Sequence, residues 1–439
     1  DLDLTDNDIG AEGAKGLQLP LLLQSLDLNY NFNMGAEGAK GLQLPPMLQF
    51  LDLSSNDIGA EGAKGLQLPP SLQSLNLYNN NIRTGGAKWL QLPPSLTFLS
   101  LAQNNIGTEG AKRLQLPSML QSLNLYYNGI GAEGVKGLQL PPSLRSLNLY
   151  YNNISSEGAK WLQLPPSLQS LVLVGNSIGD EGAKMLQLPA SLTDLDLSSN
   201  DISAEGAKGL QLPASLTDLD LSSNDISAEG AKGLQLPPSL QSLVLGGNNI
   251  GDEGAKELQL PAMLHSLILW GNNIGDEGIN ALLKKIPKTN LTIINLYGNP
   301  YNSTAISPNV TIQQQILLRN CQDKLCHVNT PLWQQDESQT SSATRMQPPL
   351  FFGWLKKPFD KLSEYASDCM STTLDSLGAR LQKVLSQSPA YFPNIHSPEI
   401  NDWQPSGSVM LNQFNGASNT LLLSAAQTTT QPSLRAIAR

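Results

Sequence analysis

An asparagine returns every 24 residues through most of the first 300 positions of this 439-residue chain. It stands at Asn7, Asn31, Asn56, Asn80, Asn104, Asn128, Asn152, Asn176, Asn200, Asn224, Asn248 and Asn272, with the step broken once by an extra residue near Asn33. So short and regular a period rules out an ordinary globular core, because each unit reaches only its neighbours and must be stabilised by them. Residues 189–212 and 213–236 are the same 24-residue sequence twice. Copied units argue against a unique catalytic constellation.

One unit shows how the array is expected to fold. Leu51 and Leu53 alternate with Phe50, Asp52 and Ser54, which puts the leucines on one side of a short strand and the others on the opposite side. Asn56 follows, and its amide can donate to and accept from neighbouring backbone, stacking with equivalent asparagines into a ladder. Ile58 then points back inside. Glu61 to Leu66 supplies one or two helical turns, Pro69 and Pro70 stop them, and Gly59 and Gly62 are expected to permit tight turning. The few aliphatic side chains of one unit cannot offset the entropy of ordering its backbone, so the units fold only as a stack.

The recurring Leu-x-x-Leu-x-Leu-x-x-Asn-x-Ile over residues 1–300 resembles the leucine-rich-repeat family. The half-unit Gly-x-Glu-Gly-Ala-Lys-x-Leu resembles the helical arm of ribonuclease-inhibitor-like repeats, shortened to 24-residue units of bacterial or protist type, and the Leu-Pro-Pro-Ser-Leu junction is similar to that of bacterial leucine-rich effectors. The resemblance implies an α/β solenoid, a horseshoe with a parallel concave sheet and short convex helices. It also implies a protein-interaction scaffold, with a secreted effector as one form of that role. The alternative is a regulatory module, such as a GTPase activator or a ubiquitin-ligase substrate receptor. Activation of a GTPase would need a specific turn arginine, and Arg83, Arg113 and Arg145 read as variable surface positions.

The end of the array departs from the pattern. Gly278 to Ile286 reads as a longer helix with a cationic last turn that suits its own dipole, followed by a strand over Leu291–Leu296. Residues 1–300 are assigned to the solenoid and 301–328 to a helical cap, in which Ile312, Ile316 and Leu317 cover the core end. A polar linker follows at 329–349, then an amphipathic helical segment at 350–387 and a disordered tail at 388–439. Three readings of 351–386 stay open: packing on the solenoid, docking a partner, or lying on a membrane surface through the Phe351 to Trp354 cluster, which is not favoured.

A net charge of −10 argues against sequence-independent nucleic-acid binding, which needs clustered cations. Cys321, Cys326 and Cys369 leave one thiol unpaired, which leans toward a reducing, intracellular setting, although the localisation itself cannot be read. The chain starts at Asp1 inside a repeat, without an initiating Met, and reads as a fragment lacking its targeting segment. Cys321, Cys326 and His327 offer too few ligands at too wide a spacing for zinc, so neither a metal nor another cofactor is expected. With His265, His327 and His396 the only histidines, an enzyme is not expected either.

The strand face opposite the core is therefore the candidate site, because stacking brings equivalent side chains to about 5 Å spacing. Its variable columns give an aromatic patch (Tyr78, Tyr126, Tyr127, Tyr150, Tyr151), an acidic patch (Asp194, Asp196, Asp218, Asp220) and an apolar patch (Ile268, Trp270), with Val172 and Val174 between the first two. Tyr and Trp bury much area for little side-chain entropy, which suits them to anchoring a protein partner. The aspartates read as a solvated face of the duplicated units, with a basic partner surface as the alternative.

Overall fold

The computed structural model describes residues 1–301. The expected cap beyond Tyr301, the linker at 329–349, the segment at 350–387 and the tail at 388–439 lie outside the described residues, as do all three cysteines.

The described residues form one sheet of 13 parallel strands, paired strictly in chain order. Its members begin with β1 (Leu2–Asp3), β2 (Ser25–Asp27), β3 (Phe50–Asp52), β4 (Ser74–Asn76) and β5 (Phe98–Ser100). The middle of the sheet is β6 (Ser122–Asn124), β7 (Ser146–Asn148), β8 (Ser170–Val172), β9 (Asp194–Asp196) and β10 (Asp218–Asp220). It ends with β11 (Ser242–Val244), β12 (Ser266–Ile268) and β13 (Ile293–Asn295). Between strands run the short helices α1 (Ala11–Gly16), α2 (Gly35–Gly41), α3 (Gly59–Gly65), α4 (Arg83–Trp89), α5 (Gly107–Ala111), α6 (Gly131–Gly137), α7 (Ser155–Trp161), α8 (Gly179–Met185), α9 (Ala204–Gly209), α10 (Ser227–Gly233) and α11 (Gly251–Glu257), and the ten-residue α12 (Asp276–Lys285). The expected leucine-rich-repeat solenoid is thus observed. The leucine and isoleucine columns form one continuous aliphatic core in which Leu51, Leu53 and Ile58 are each at most 1% exposed.

The asparagine ladder is present in atomic detail. The Asn80 Oδ1 accepts from the Asn56 N–H (3.0 Å) and the Ile58 N–H (3.3 Å) of the preceding repeat. Its Nδ2 donates to the Leu53 carbonyl of that repeat (2.7 Å) and to its own Tyr78 carbonyl (3.2 Å). One fully buried amide thereby satisfies four backbone groups that would otherwise be orphaned. The extra residue near Asn33 is absorbed in the turn, where Met34 takes the inward position that Ile58 holds in the next unit. The ladder also extends one step beyond the regular period, because the Asn299 Oδ1 accepts from the Asn272 N–H (3.0 Å).

One expectation needs correction. Gly59 does occupy a turn, at φ +64°, but Gly62 is a packing residue: a Cβ there would fall 2.9 Å from the Ala36 Cα of the preceding repeat. Glycine lets adjacent helices touch backbone to side chain. The last turn of α12 carries Lys284 and Lys285, as expected, and Lys285 also serves the neighbouring helix, its ammonium donating to the Ala255 (3.1 Å), Lys256 and Leu258 (2.7 Å) carbonyls at the end of α11. A second ladder joins the Pro-Pro-Ser-Leu and Pro-Ala-Ser-Leu junctions. The Ser71 hydroxyl donates to the Leu48 carbonyl (2.6 Å) one repeat back, and Ser95, Ser143, Ser167, Ser191, Ser215 and Ser239 do the same.

Candidate binding face

Strand register aligns the variable columns without slippage. Asn148 pairs with Val172, Val172 with Asp196 and Asp196 with Asp220, and one strand row holds the pair Asp194 and Asp218. The aromatic, aliphatic and acidic patches consequently follow one another along the open face, over β6–β7, β8 and β9–β10.

Four of the five sequence-predicted tyrosines form one cluster. The Tyr126 and Tyr150 rings stack with centroids 4.8 Å apart and planes 15° from parallel, close to the repeat spacing of the sheet itself. Tyr127 and Tyr151 sit one position later, in the turn, at φ +54° and φ +50°. Tyr127 meets Tyr126 edge-on at 5.8 Å, and Tyr151 tilts against Tyr150 at 4.6 Å. The stacked pair is half-buried, whereas Tyr127 and Tyr151 are 40% and 46% exposed and present the cluster to solvent. Burial pushes the Tyr150 hydroxyl far above the ordinary tyrosine value, with Tyr151, Tyr126 and Asp196 adding to the rise. The Tyr126 hydroxyl is raised for the same principal reason, so the stacked pair stays neutral across the physiological range.

Tyr78 is not part of that cluster. It lies two repeats before Tyr126, with Ala102 in the intervening position, and burial pushes its hydroxyl up to about 12. A smaller aromatic group, overlooked in the sequence, lies on the second unit, where Tyr30 meets Phe32 edge-on at 5.5 Å. Tyr30 occupies the same column as Tyr127 and Tyr151, and that column was the signal that could have found it. Phe32 was hidden by the inserted residue.

The aspartates, read from the sequence as a solvated face, are half-buried. Asp196 and Asp220 sit opposite each other on adjacent strands and are half-buried. The Asp196 Oδ1 accepts from the Ser198 N–H (3.0 Å) and hydroxyl (2.7 Å), and the Asp220 Oδ1 from the Ser222 N–H (2.7 Å). Burial pushes Asp220 up to about 7, the Asp196 charge adds to the rise, and the bonds from Ser222 offset it in part. Asp196 is raised for the same principal reason. Thr193 and Thr217 donate to the flanking Asp194 and Asp218 (2.7 Å for the latter). Asp52, on β3, repeats the theme: burial pushes it up to about 6 against bonds from Ser54, and the Asn76 Nδ2 donates to it (2.8 Å).

Val172 and Val174 are half-buried between the two patches, as are Ile268 and Trp270 further along. The Trp270 indole lies over the previous repeat, so close that a Cβ on Gly246 would fall 2.2 Å from its Nε1. Part of that apolar patch therefore covers a glycine platform. Arg83, Arg113 and Arg145 are exposed, as expected of variable positions. Among the described residues, no group of three or more His, Cys, Asp or Glu side chains is placed to hold a metal ion. None of their helices is long and apolar enough to cross a membrane.

No curated protein matches the sequence. Among solved structures, the chain is similar to the leucine-rich repeat-containing protein LegL7 from Legionella pneumophila, at 21% identity and a TM-score of 0.35 over 74% of this chain and 98% of that one. It is also similar to the Rad7 and Elc1 complex in yeast, at 21% identity and a TM-score of 0.43 over 67% and 81% of the two chains. The mouse RP105/MD-1 complex matches at 20% identity and a TM-score of 0.43, over 78% and 61%. The family model described as Leucine Rich repeat matches residues 1–17, 45–66, 93–114, 117–138, 141–162, 165–186, 189–210, 213–234, 237–258 and 261–283. A second model, Leucine Rich Repeat, matches 71–92. With more than half of its residues matched and every matched unit carrying the strand, asparagine ladder and helix described above, the chain belongs to the leucine-rich-repeat family.

Proposed function

We propose that this protein is an interaction scaffold that grips a protein partner on the open face of its sheet, centred on Tyr126, Tyr127, Tyr150 and Tyr151. The observation that carries the reading is the four-ring cluster on two adjacent repeats, held rigid from below by the stacked pair and exposed above through Tyr127 and Tyr151. A preorganised aromatic surface loses little side-chain entropy on binding and offers a large apolar area, which is what a binding hot spot requires. Val172, Val174 and the four aspartates flank it and are the rest of the proposed contact surface, with Tyr78, Ile268 and Trp270 at the margins. The placement of the units with ribonuclease-inhibitor-like repeats, and a secreted-effector role, are finer parts of this reading. They rest on the resemblance of the helical arm and of the Leu-Pro-Pro-Ser-Leu junction.

The test uses a double variant with Tyr127→Asn and Tyr151→Asn. Asn79 occupies the same column at φ +53°, so asparagine fits the turn without strain. The reading expects the variant to lose at least one partner captured by the parent chain, about tenfold in apparent affinity, with circular dichroism and melting unchanged. Retention of every partner by the folded variant overturns it.

A further inference from the structure

The aromatic and acidic patches are parts of one surface with one chemical preference. Strands β6 to β11 carry Ser, Leu, Asn, Val and Asp, and no Lys or Arg. The tyrosine rings offer π faces that attract a cation, and two strands further on Asp194, Asp196, Asp218 and Asp220 form a two-by-two grid of carboxylates in strict register. These are two different kinds of group, arising from different units, and they favour the same partner charge. Asp196 adds to the upward shift of the Tyr150 hydroxyl, so the two patches already sense each other. Val172 and Val174 lie between them and are half-buried, leaving apolar surface for the stem of a long side chain.

We propose that this face docks a polyproline-II segment of a partner protein bearing two arginines three residues apart, one over the tyrosine cluster and one over the aspartate grid. The spacing follows from geometry. Tyr150 and Asp196 belong to units two strand steps apart, roughly 10 Å at ordinary strand spacing, and one three-residue turn of polyproline II rises about 9 Å while returning the side chain to the same face. Arginine fits better than lysine because its planar guanidinium stacks on an aromatic face and forms paired hydrogen bonds to carboxylates. The proposal rests on the interaction reading above and narrows it to a partner chemistry.

The experiment measures fluorescence anisotropy of the full chain with a labelled proline-rich peptide carrying two arginines three residues apart. The matched probes replace both arginines by citrulline, which keeps the shape and removes the charge, or by lysine. Saturable one-to-one binding is expected, weakened about tenfold or more by citrulline and severalfold by lysine. The variant with Asp196→Asn and Asp220→Asn, and separately the variant with Tyr127→Asn and Tyr151→Asn, should each weaken the arginine peptide about tenfold while circular dichroism is unchanged. Citrulline binding within twofold of arginine, no arginine binding at all, or indifference to either folded variant overturns the proposal. If the tyrosine variant loses a captured partner yet the parent chain ignores the arginine peptide, the face binds a partner of different chemistry: the interaction reading stands and this inference falls.

Discussion

Ser203 in the unit 189–212 and Ser227 in its exact copy 213–236 hold the same place in the same sequence, yet they fold differently. Ser203 has φ −89° and caps α9, its hydroxyl accepting from the Glu205 N–H (3.3 Å), whereas Ser227 sits at φ +58° within α10. The cause lies one repeat back. Asp180 takes hydrogen bonds from the Ser203 N–H (2.7 Å), the Ser203 hydroxyl (2.6 Å) and the Gly206 N–H (3.0 Å), and so pulls the turn over. The residue facing Ser227 from the preceding unit is Ala204, which offers nothing to accept. Asp252 acts as Asp180 does, accepting from the Gly275 N–H (2.7 Å) and the Gly278 N–H (2.9 Å) and leaving Gly275 at φ −91°. A unit's own sequence sets its strand, its core and its ladder asparagine, while its neighbour sets its turn. Binding surfaces in such an array are likewise properties of adjacent pairs.

The largest expected effect comes from removing what the two copies share. Asn200 donates to the Leu173, Leu197 and Ser198 carbonyls and accepts from the Asn176 and Ile178 N–H groups. Asn200→Ala leaves these buried groups unpaired and should cost about 3 kcal/mol in urea unfolding. A loss below about 1 kcal/mol would mean the ladder is not what the copies have in common.

The next effect tests how the copies act on each other across the sheet. Asp220 is raised in the folded chain to about 7, so the stability it contributes is complete at acid pH and is lost as pH rises from about 4 through about 7. Asp220→Asn removes that loss and should stabilise the protein at pH 8 relative to the parent by on the order of 2 kcal/mol, with little difference at pH 4. Equal melting shifts at both values would show that Asp196 and Asp220 do not share a low-polarity site. The smallest effect concerns the turn itself. Asp180→Ala should cost about 1 kcal/mol and move the Ser203 backbone resonances toward those of Ser227. Ala204→Asp should shift Ser227 the opposite way, and unchanged resonances in both variants would detach the turn from its neighbour.

The regular part of this fold was legible because burial enforces it: Leu51, Leu53, Asn56 and Ile58 have their counterparts in every unit, since each faces the core or the ladder. Gly62 was misread because sequence alone does not show the Ala36 backbone that excludes a Cβ. The site was legible as columns but not as a surface. Tyr78 and Tyr126 share a column, yet Ala102 separates them, whereas Tyr127 and Tyr151 leave the strand and still join the cluster.

The central claim, that a partner lies on the open sheet face around the tyrosines, is tested most directly by site-specific photocrosslinking of the full chain. Benzoylphenylalanine at Val172, beside the cluster, is compared with the same probe at Lys160, exposed on the helical side. The account predicts a partner crosslinked from position 172 and not from 160, with the yield from 172 reduced when Tyr127→Asn and Tyr151→Asn are added. Crosslinking from 160 alone would place the partner on the helical layer and contradict the account.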